Sequence, residues 1–310
     1  MLTLISNIKS LVQIETQPKP WVRGRDMSVL PTIENAYLLI ENELIKDFGS
    51  MEDIPTYEVD RTIDATGRIV LPTWCDSHTH IVFAGNREQE FVSRIKGKSY
   101  EEIAKEGGGI LNSAKLVQNM SEEELYRQSE TRIKEVMKLG SGAIEIKSGY
   151  GLTTEAELKM LRVIKKLDEN YPVCIKATFL GAHALPRKYK DDKNAFIDEL
   201  IHKTLPLVAK ENLAEYIDVF CETGYFTVQD MSRILESAKA FGLIPKIHVN
   251  QFTAFGGIQE AVNQNALSVD HLGVMRPQDI EVLKNTDIMP VALPSCSFFL
   301  GIPYLSLIHI

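Results

Sequence analysis

From Ile69 onward the chain repeats one unit: a short apolar strand, a turn, then a longer amphipathic helix. The strand-sized segments are "RIVLPTWCDSHTH", "GAIEIKSGYG", "VCIKATFLGAH", "YIDVFCETG", "PKIHVNQF", "ALSVDHLG" and "IMPVALPS". Between them lie helical stretches such as "EEELYRQSETRIKEVMKLG", "TEAELKMLRVIKKLDEN", "VQDMSRILESAKAFG" and "RPQDIEVLKN". Strand–helix alternation of this kind calls for a parallel sheet covered by helices, because parallel neighbours need a long crossover between them. The strands read as apolar on both faces, as in a sheet buried on both sides. Seven of them predict a TIM-like (β/α)8 barrel of the α/β class that lacks its last strand. A doubly wound open sheet is the second choice.

Residues 1–68 have a different character. "MLTLISNIKSLVQI", "NAYLLIENELIKDFGS" and "RTIDATGRIV" are strand-sized runs punctuated by Asn, Gly and Asp. They predict the N-terminal part of a small β-sandwich domain rather than helices. Residues 69–304 form the incomplete barrel, and 305–310 a tail that fits neither part. The stretch from Arg87 to about Glu123, with "EGGGI" inside it, reads as an active-site loop carrying a short helix.

Net charge is −8 and no long basic run is present, which argues against nucleic acid or an anionic membrane as partner. An acidic small molecule would then have to be held by a local cation. The opening residues are too polar for a signal-peptide core. Cys75, Cys174, Cys221 and Cys296 are widely spaced and form no CxxC pair. They read as buried free thiols of a cytoplasmic protein.

Polar residues recur where the predicted strands run out. The first strand ends in His78 and His80, the second in Tyr150, and the third in His183. The fourth ends in Glu222, the fifth in His248 and Gln251, and the sixth in Asp270 and His271. In a barrel these ends converge on one face, where catalytic sites are built. Each residue alone has an ordinary explanation. A lone histidine is often a satisfied core residue, Glu222 could cap a helix or face solvent, and Asp270 could simply orient the His271 ring. Five of the seven histidines at strand ends is harder to explain by accident. The other two, His202 and His309, look like surface residues.

Three histidines make a nitrogen ligand set suited to Zn or Fe. A metal so held lowers the pKa of bound water from about 15.7 towards ~7, suiting attack on a C=O or C=N carbon. No Lys ends the fourth strand to bridge a second ion, so one divalent or trivalent ion per chain is expected. His271 is the candidate for polarising a carbonyl or moving a proton, a job suited to a pKa near neutrality. Tyr100 is a further candidate for contacting a carboxylate.

With these residues placed, the chain resembles the amidohydrolase superfamily of metal-dependent hydrolases, and within it the imidazolonepropionase family of histidine degradation. The superfamily signal is "DSHTH" after an apolar strand, with "KIHVN" and "SVDHL" later. The narrower signal is six blocks in order: "DSHTHIVFAGNREQEF", "GKSYEEIAKEGGGI", "IEIKSGYGL", "FLGAHALP", "VFCETGYF" and "LPSCSFFL". The resemblance implies hydrolysis of the cyclic amide 4-imidazolone-5-propanoate to N-formimino-L-glutamate by metal-activated water. It implies His78, His80 and His248 as metal ligands, with Arg87, Tyr150, His183 and Gln251 contacting substrate. A planar guanidinium such as Arg87 suits a propanoate tail. Homodimerisation is a further expectation, by family analogy. The alternative within the superfamily is a nucleobase deaminase, which would not need Arg87.

Two departures from the family pattern stand out. Many relatives carry Glu where this chain has Gln251, and Gln cannot act as a general base. The family's fourth metal ligand is an Asp in a segment like "ATDxNPG" at the eighth strand, and no such segment occurs. A further helix and strand would need on the order of 25 residues after Tyr304. The expectation is therefore a chain that ends early, with the inactive fragment as the alternative to a working hydrolase.

Overall fold

The computed structural model describes residues 1–17, 19–98, 102 and 108–305. Contacts divide the chain into two units, Met1–Thr73 and Trp74–Ile310. Tyr100 and His309 lie outside the described residues, as does the tail after Leu305.

In the first unit, β1 (Leu2–Val12) pairs antiparallel with β2 (Thr32–Glu41), which pairs with β3 (Leu44–Ser50). The two-residue link from β2 to β3 begins with Asn42 at a φ of 57°, the left-handed geometry that tight hairpins require. β4 (Arg61–Asp64) and β5 (Ile69–Val70) pair parallel with β1. One face of this sheet buries Ile8, Leu11, Ala36 and Leu38 together with Ala65. The strand expected from Arg68 is in fact divided. Ile69 and Val70 join β1, and a new strand starts at Trp74. Pro72 lies between them and has no N–H to offer a ladder.

The second unit holds β6 (Trp74–Thr79), β7 (Ser141–Lys147), β8 (Cys174–Ala182) and β9 (Tyr216–Cys221). β10 (Ile244–Val249), β11 (Ser268–His271) and β12 (Met289–Ala292) complete it. All pair in parallel and in strict chain order from β6 to β12. A doubly wound sheet reverses its strand order at a switch point, and this one does not. The architecture is a seven-stranded (β/α) barrel sheet.

The expectation that these strands are apolar on both faces is wrong. Ile144 and Ile146, Ile217 and Val219, and Ile247 and Val249 pack into the core shared with the helices. The residues alternating with them are Glu145, Lys147, Asp218, Lys246 and His248, and all are buried. Side chains alternate across a strand, so the second face is a charged interior. "IEIK", "YIDV" and "KIHV" carried this period-two signal in the sequence.

The helices start on local capping chemistry. The Ser121 side chain accepts the Glu124 N–H at the start of Glu122–Lys138, and the Thr153 side chain accepts the Ala156 N–H for Thr154–Asn170. Three glutamates in the first turn of Glu122–Lys138 complement the helix dipole. Buried Leu158, Leu161 and Ile164 of Thr154–Asn170 join the strand core, and the helix ends before Pro172. The stretch expected to be a loop with one short helix holds two helices among its described residues, Glu88–Ile95 and Ile110–Asn119.

Candidate active site

The barrel brings all five strand-end histidines together. The His78 ring centroid lies 5.3 Å from that of His80, 4.5 Å from His248 and 5.3 Å from His271. His183 stacks on His80 at 5.3 Å and lies 5.6 Å from His248. His202 is exposed on its helix and takes no part.

One ligand atom from each of His78, His80 and His248 falls within 4.8 Å of the other two. Their remaining nitrogens show how the cluster is oriented. His78 Nδ1 lies 2.6 Å from Asp270 Oδ2, and His248 Nδ1 lies 2.6 Å from Asp218 Oδ2. A carboxylate acceptor fixes the Nδ1–H tautomer and leaves Nε2 as the free donor atom, the usual support of a metal-binding histidine. His80 Nδ1 is buried with no hydrogen-bond partner among the described residues. Burial first, then neighbouring cations and histidines, holds His78, His80 and His248 well below the ordinary histidine pKa. Neutral imidazole is the ligating form. The three residues fit a metal ion on geometry and charge state, and His78 and His248 on tautomer as well.

Asp270 therefore orients His78, not the adjacent His271 as the sequence suggested. His271 has a φ of 84°, which turns the chain at the end of β11, and its Nε2 is buried without a partner among the described residues. Burial, reinforced by His248, depresses its pKa well below the histidine norm. The near-neutral pKa expected for it is not what its surroundings produce. It is a neutral ring at pH 7, able to donate or accept one proton at Nε2.

A charged network supports the ring cluster. The Lys147 ammonium lies 2.8 Å from Glu145 Oε1, 2.9 Å from Asp218 Oδ2 and 3.6 Å from Asp270 Oδ2. Lys246 Nζ donates to Ser268 Oγ at 2.9 Å, and Ser268 donates to Asp270 Oδ1 at 2.6 Å. Desolvation opposes charge on Lys147, but the three carboxylates outweigh it and raise its pKa. None of Glu145, Lys147, Asp218 and Lys246 was among the residues picked from the sequence.

The histidines line a cavity of about 510 Å³ shared with Arg87, Ser113, Tyr150, Gln251 and Cys296. That size suits a small metabolite. Arg87 Nε donates to Ser113 Oγ at 3.1 Å, while its Nη2 is buried with no hydrogen bond among the described residues. The guanidinium lies 5.5 Å from the Tyr150 ring centroid. Gln251 Nε2 approaches Cys296 Sγ at 3.6 Å. His183 Nδ1 lies 3.1 Å from the Gly149 carbonyl, and burial brings its pKa down to about 4.

Three residues that shape the loops of this cavity have only weak sequence signals. Glu157 accepts the backbone N–H groups of Gly149, Gly151 and Leu152, which frame Tyr150. A Cβ on Gly151 would come within 2.5 Å of the Glu157 nitrogen, so this approach requires glycine. Arg132 donates to the carbonyls of Ile81 and Phe83, on the segment between His80 and Arg87. Glu222 is buried rather than capping a helix or facing solvent. It accepts the Thr223 and Phe252 N–H groups at 2.8 Å and so ties down the residue after Gln251.

The four cysteines are free, but only Cys221 is fully buried, while Cys75 and Cys174 are exposed. The expectation of four buried thiols is corrected. Both exposed residues sit in the first two positions of their strands, before the sheet is covered. No helix among the described residues is long and apolar enough to cross a membrane.

No protein-family model matches the chain. It is 65% identical over 304 residues to an imidazolonepropionase of Christiangramia forsetii, covering 98% of this chain and 74% of that protein. An imidazolonepropionase of Flavobacterium johnsoniae is 63% identical with the same coverage. One from Shouchella clausii is 44% identical, over 91% of this chain and 64% of that protein. Among solved structures, a triazine hydrolase variant superposes with a TM-score of 0.68 at 14% identity, over 97% of this chain and 67% of that one. The 5-methylcytosine deaminase of Klebsiella pneumoniae gives 0.66 at 14% identity, over 96% and 67%. At such identities the structural likeness speaks for the barrel fold alone. The sequence likeness reaches further: this chain belongs to the imidazolonepropionase family.

Proposed function

We propose that the protein hydrolyses 4-imidazolone-5-propanoate to N-formimino-L-glutamate, in the degradation of L-histidine. The single observation that carries this is one cavity lined both by the three-histidine cluster and by the unsatisfied Nη2 of Arg87. A substrate with a reactive ring and a carboxylate tail matches both features.

His78, His80 and His248 would hold one metal ion, and zinc and iron both suit three nitrogens. Such an ion supplies Lewis acidity, polarising a carbonyl and acidifying water. The rest falls to side chains. Arg87, steadied by Ser113, takes the propanoate by charge-assisted hydrogen bonds. Tyr150 and His183 offer hydrogen bonds to the ring or the carboxylate, and Gln251 can donate or accept but cannot take a proton. Opening the ring adds water oxygen to the carbonyl carbon and breaks the carbon–nitrogen bond. The proton that water loses is needed on the departing nitrogen, and His271 Nε2 is the neutral, unpartnered site proposed to carry it.

The test compares turnover of imidazolone propanoate with that of guanine and cytosine, alongside His78→Ala. Hydrolysis of the first substrate alone, lost in the variant together with bound metal, is the expected result. Full activity in His78→Ala, or deamination of the free bases, would overturn the assignment.

A further inference from the structure

We propose that Lys147 is the positioning residue of this centre: a single buried ammonium that holds both carboxylates orienting two of the three cluster histidines. The inference rests on the metal-centre assignment above and goes beyond it to a residue that touches neither metal nor substrate.

The geometry is specific at the level of single oxygen atoms. Asp218 Oδ2 lies 2.9 Å from Lys147 Nζ and 2.6 Å from His248 Nδ1. Asp270 Oδ2 lies 3.6 Å from the same ammonium and 2.6 Å from His78 Nδ1. Lys147 is thus one atom removed from each histidine, through an oxygen that both share. Asp218 is further braced by the His248 backbone N–H, at 2.9 Å from Oδ1. Lys147, Asp218 and Asp270 come from β7, β9 and β11, so one interior layer is drawn from alternate strands. That is how barrel interiors are filled, ordinarily with bulky aliphatic residues. Here the layer is ionic, and the Lys147 and Asp218 side chains are fully buried.

The chemistry follows from that placement. Two carboxylates packed close together in the interior repel, and a cation between them holds both shared oxygens in place. An ionised carboxylate accepts the Nδ1 proton of its histidine and leaves Nε2 facing the metal position. Without the ammonium, the two carboxylates repel unopposed and turn apart, and His78 and His248 lose the oxygens that fix their Nδ1 atoms. Glu145, at 2.8 Å, is a third carboxylate on the same ammonium and contacts neither histidine among the hydrogen bonds it makes.

The experiment uses the whole chain, with Zn2+ alone as the probe. Lys147→Met removes the hub. Lys147→Met/Glu145→Gln removes it together with one negative charge, which keeps the interior balanced. Zn2+ affinity is measured by competition with a chelator, and histidine tautomers are read from nitrogen-15 shifts in the metal-free protein. The expected result is a balanced variant with wild-type circular dichroism and Zn2+ affinity reduced about 10–100-fold, the range typical of groups that orient metal ligands. His78 and His248 should also lose their uniform Nδ1–H signature. A folded balanced variant with affinity within twofold of wild type and unchanged tautomers would overturn the proposal. So would failure of the balanced variant to fold, since the role would then be structural. If the wild type binds no Zn2+, the metal-centre assignment fails, and the tautomer signals still decide the role of Lys147.

Discussion

The two units use the same material, β-strand, in opposite ways. In Met1–Thr73 one sheet face is apolar, around Ile8 and Leu38, and most polar side chains stay near water. Its most enclosed acidic group, Asp47, is held by the hydroxyls of Tyr37 and Tyr57 on the same unit. In Trp74–Ile310 the apolar face meets helices and the other face encloses Glu145, Lys147, Asp218, Lys246 and Asp270. Enclosing five charges opposes stability, since each must be desolvated and apolar residues of like volume would often serve the fold better. The first sheet is built for folding. The second gives up stability to hold a reactive centre, and strained chemistry is where such concessions collect.

Substitutions can break that contrast. Ile8→Ala should destabilise the first unit by about 2–5 kcal/mol, the cost of a cavity at a fully buried site, and leave Zn2+ affinity of the chain unchanged. Urea unfolding paired with a Zn2+ titration checks both halves, and weakened Zn2+ binding would show that the division of labour is wrong. Arg87→Met belongs to the other side of the comparison. Losing a charged hydrogen-bond partner for the carboxylate should raise KM by about 10–100-fold, with unfolding midpoints little altered. A KM that stays put would remove Arg87 from substrate binding.

Acid sharpens the same contrast. Burial takes the His183 pKa down to about 4, below its unfolded value of ~6.5. Protonation is therefore favoured in the unfolded chain, so this contribution is complete above pH ~6.5 and is lost as pH falls towards 4. The first unit contains no histidine. Amide protection, corrected for the intrinsic pH dependence of exchange, should fall in β7 and β8 over that range before it does in β1 and β2, and His183→Phe should remove that one ring's share of the difference. The smallest effect is predicted for His202→Gln. On an exposed helix position this should change stability by less than about 0.5 kcal/mol and leave Zn2+ affinity alone.

Much of the site is legible in the sequence. His78, His80, His183, His248 and His271 stand at strand ends in the sequence, and a parallel barrel sends strand ends to one face. What escaped was the support. Lys147 looks in sequence like any strand lysine, and nothing local says that it is wholly buried or that its partners lie on β9 and β11. Sequence adjacency pairs Asp270 with His271, whereas in the fold its carboxylate meets His78, and His271 turns the chain with a φ of 84°. Glu157 and Arg132 act on backbone groups, and sequence patterns describe side chains. The pKa of His271 was misjudged for a related reason: desolvation is a property of what surrounds a ring, not of the ring.

By itself, then, the sequence determined the alternation of strand and helix, the period-two pattern in each strand, and the residues at the strand ends. Those are local features, set by side-chain type and spacing. Tertiary structure alone decided which carboxylate meets which histidine, that one ammonium serves two acids, and that all five rings stay neutral. These depend on register between strands separated by scores of residues and on the exclusion of water, and no single segment of chain encodes either.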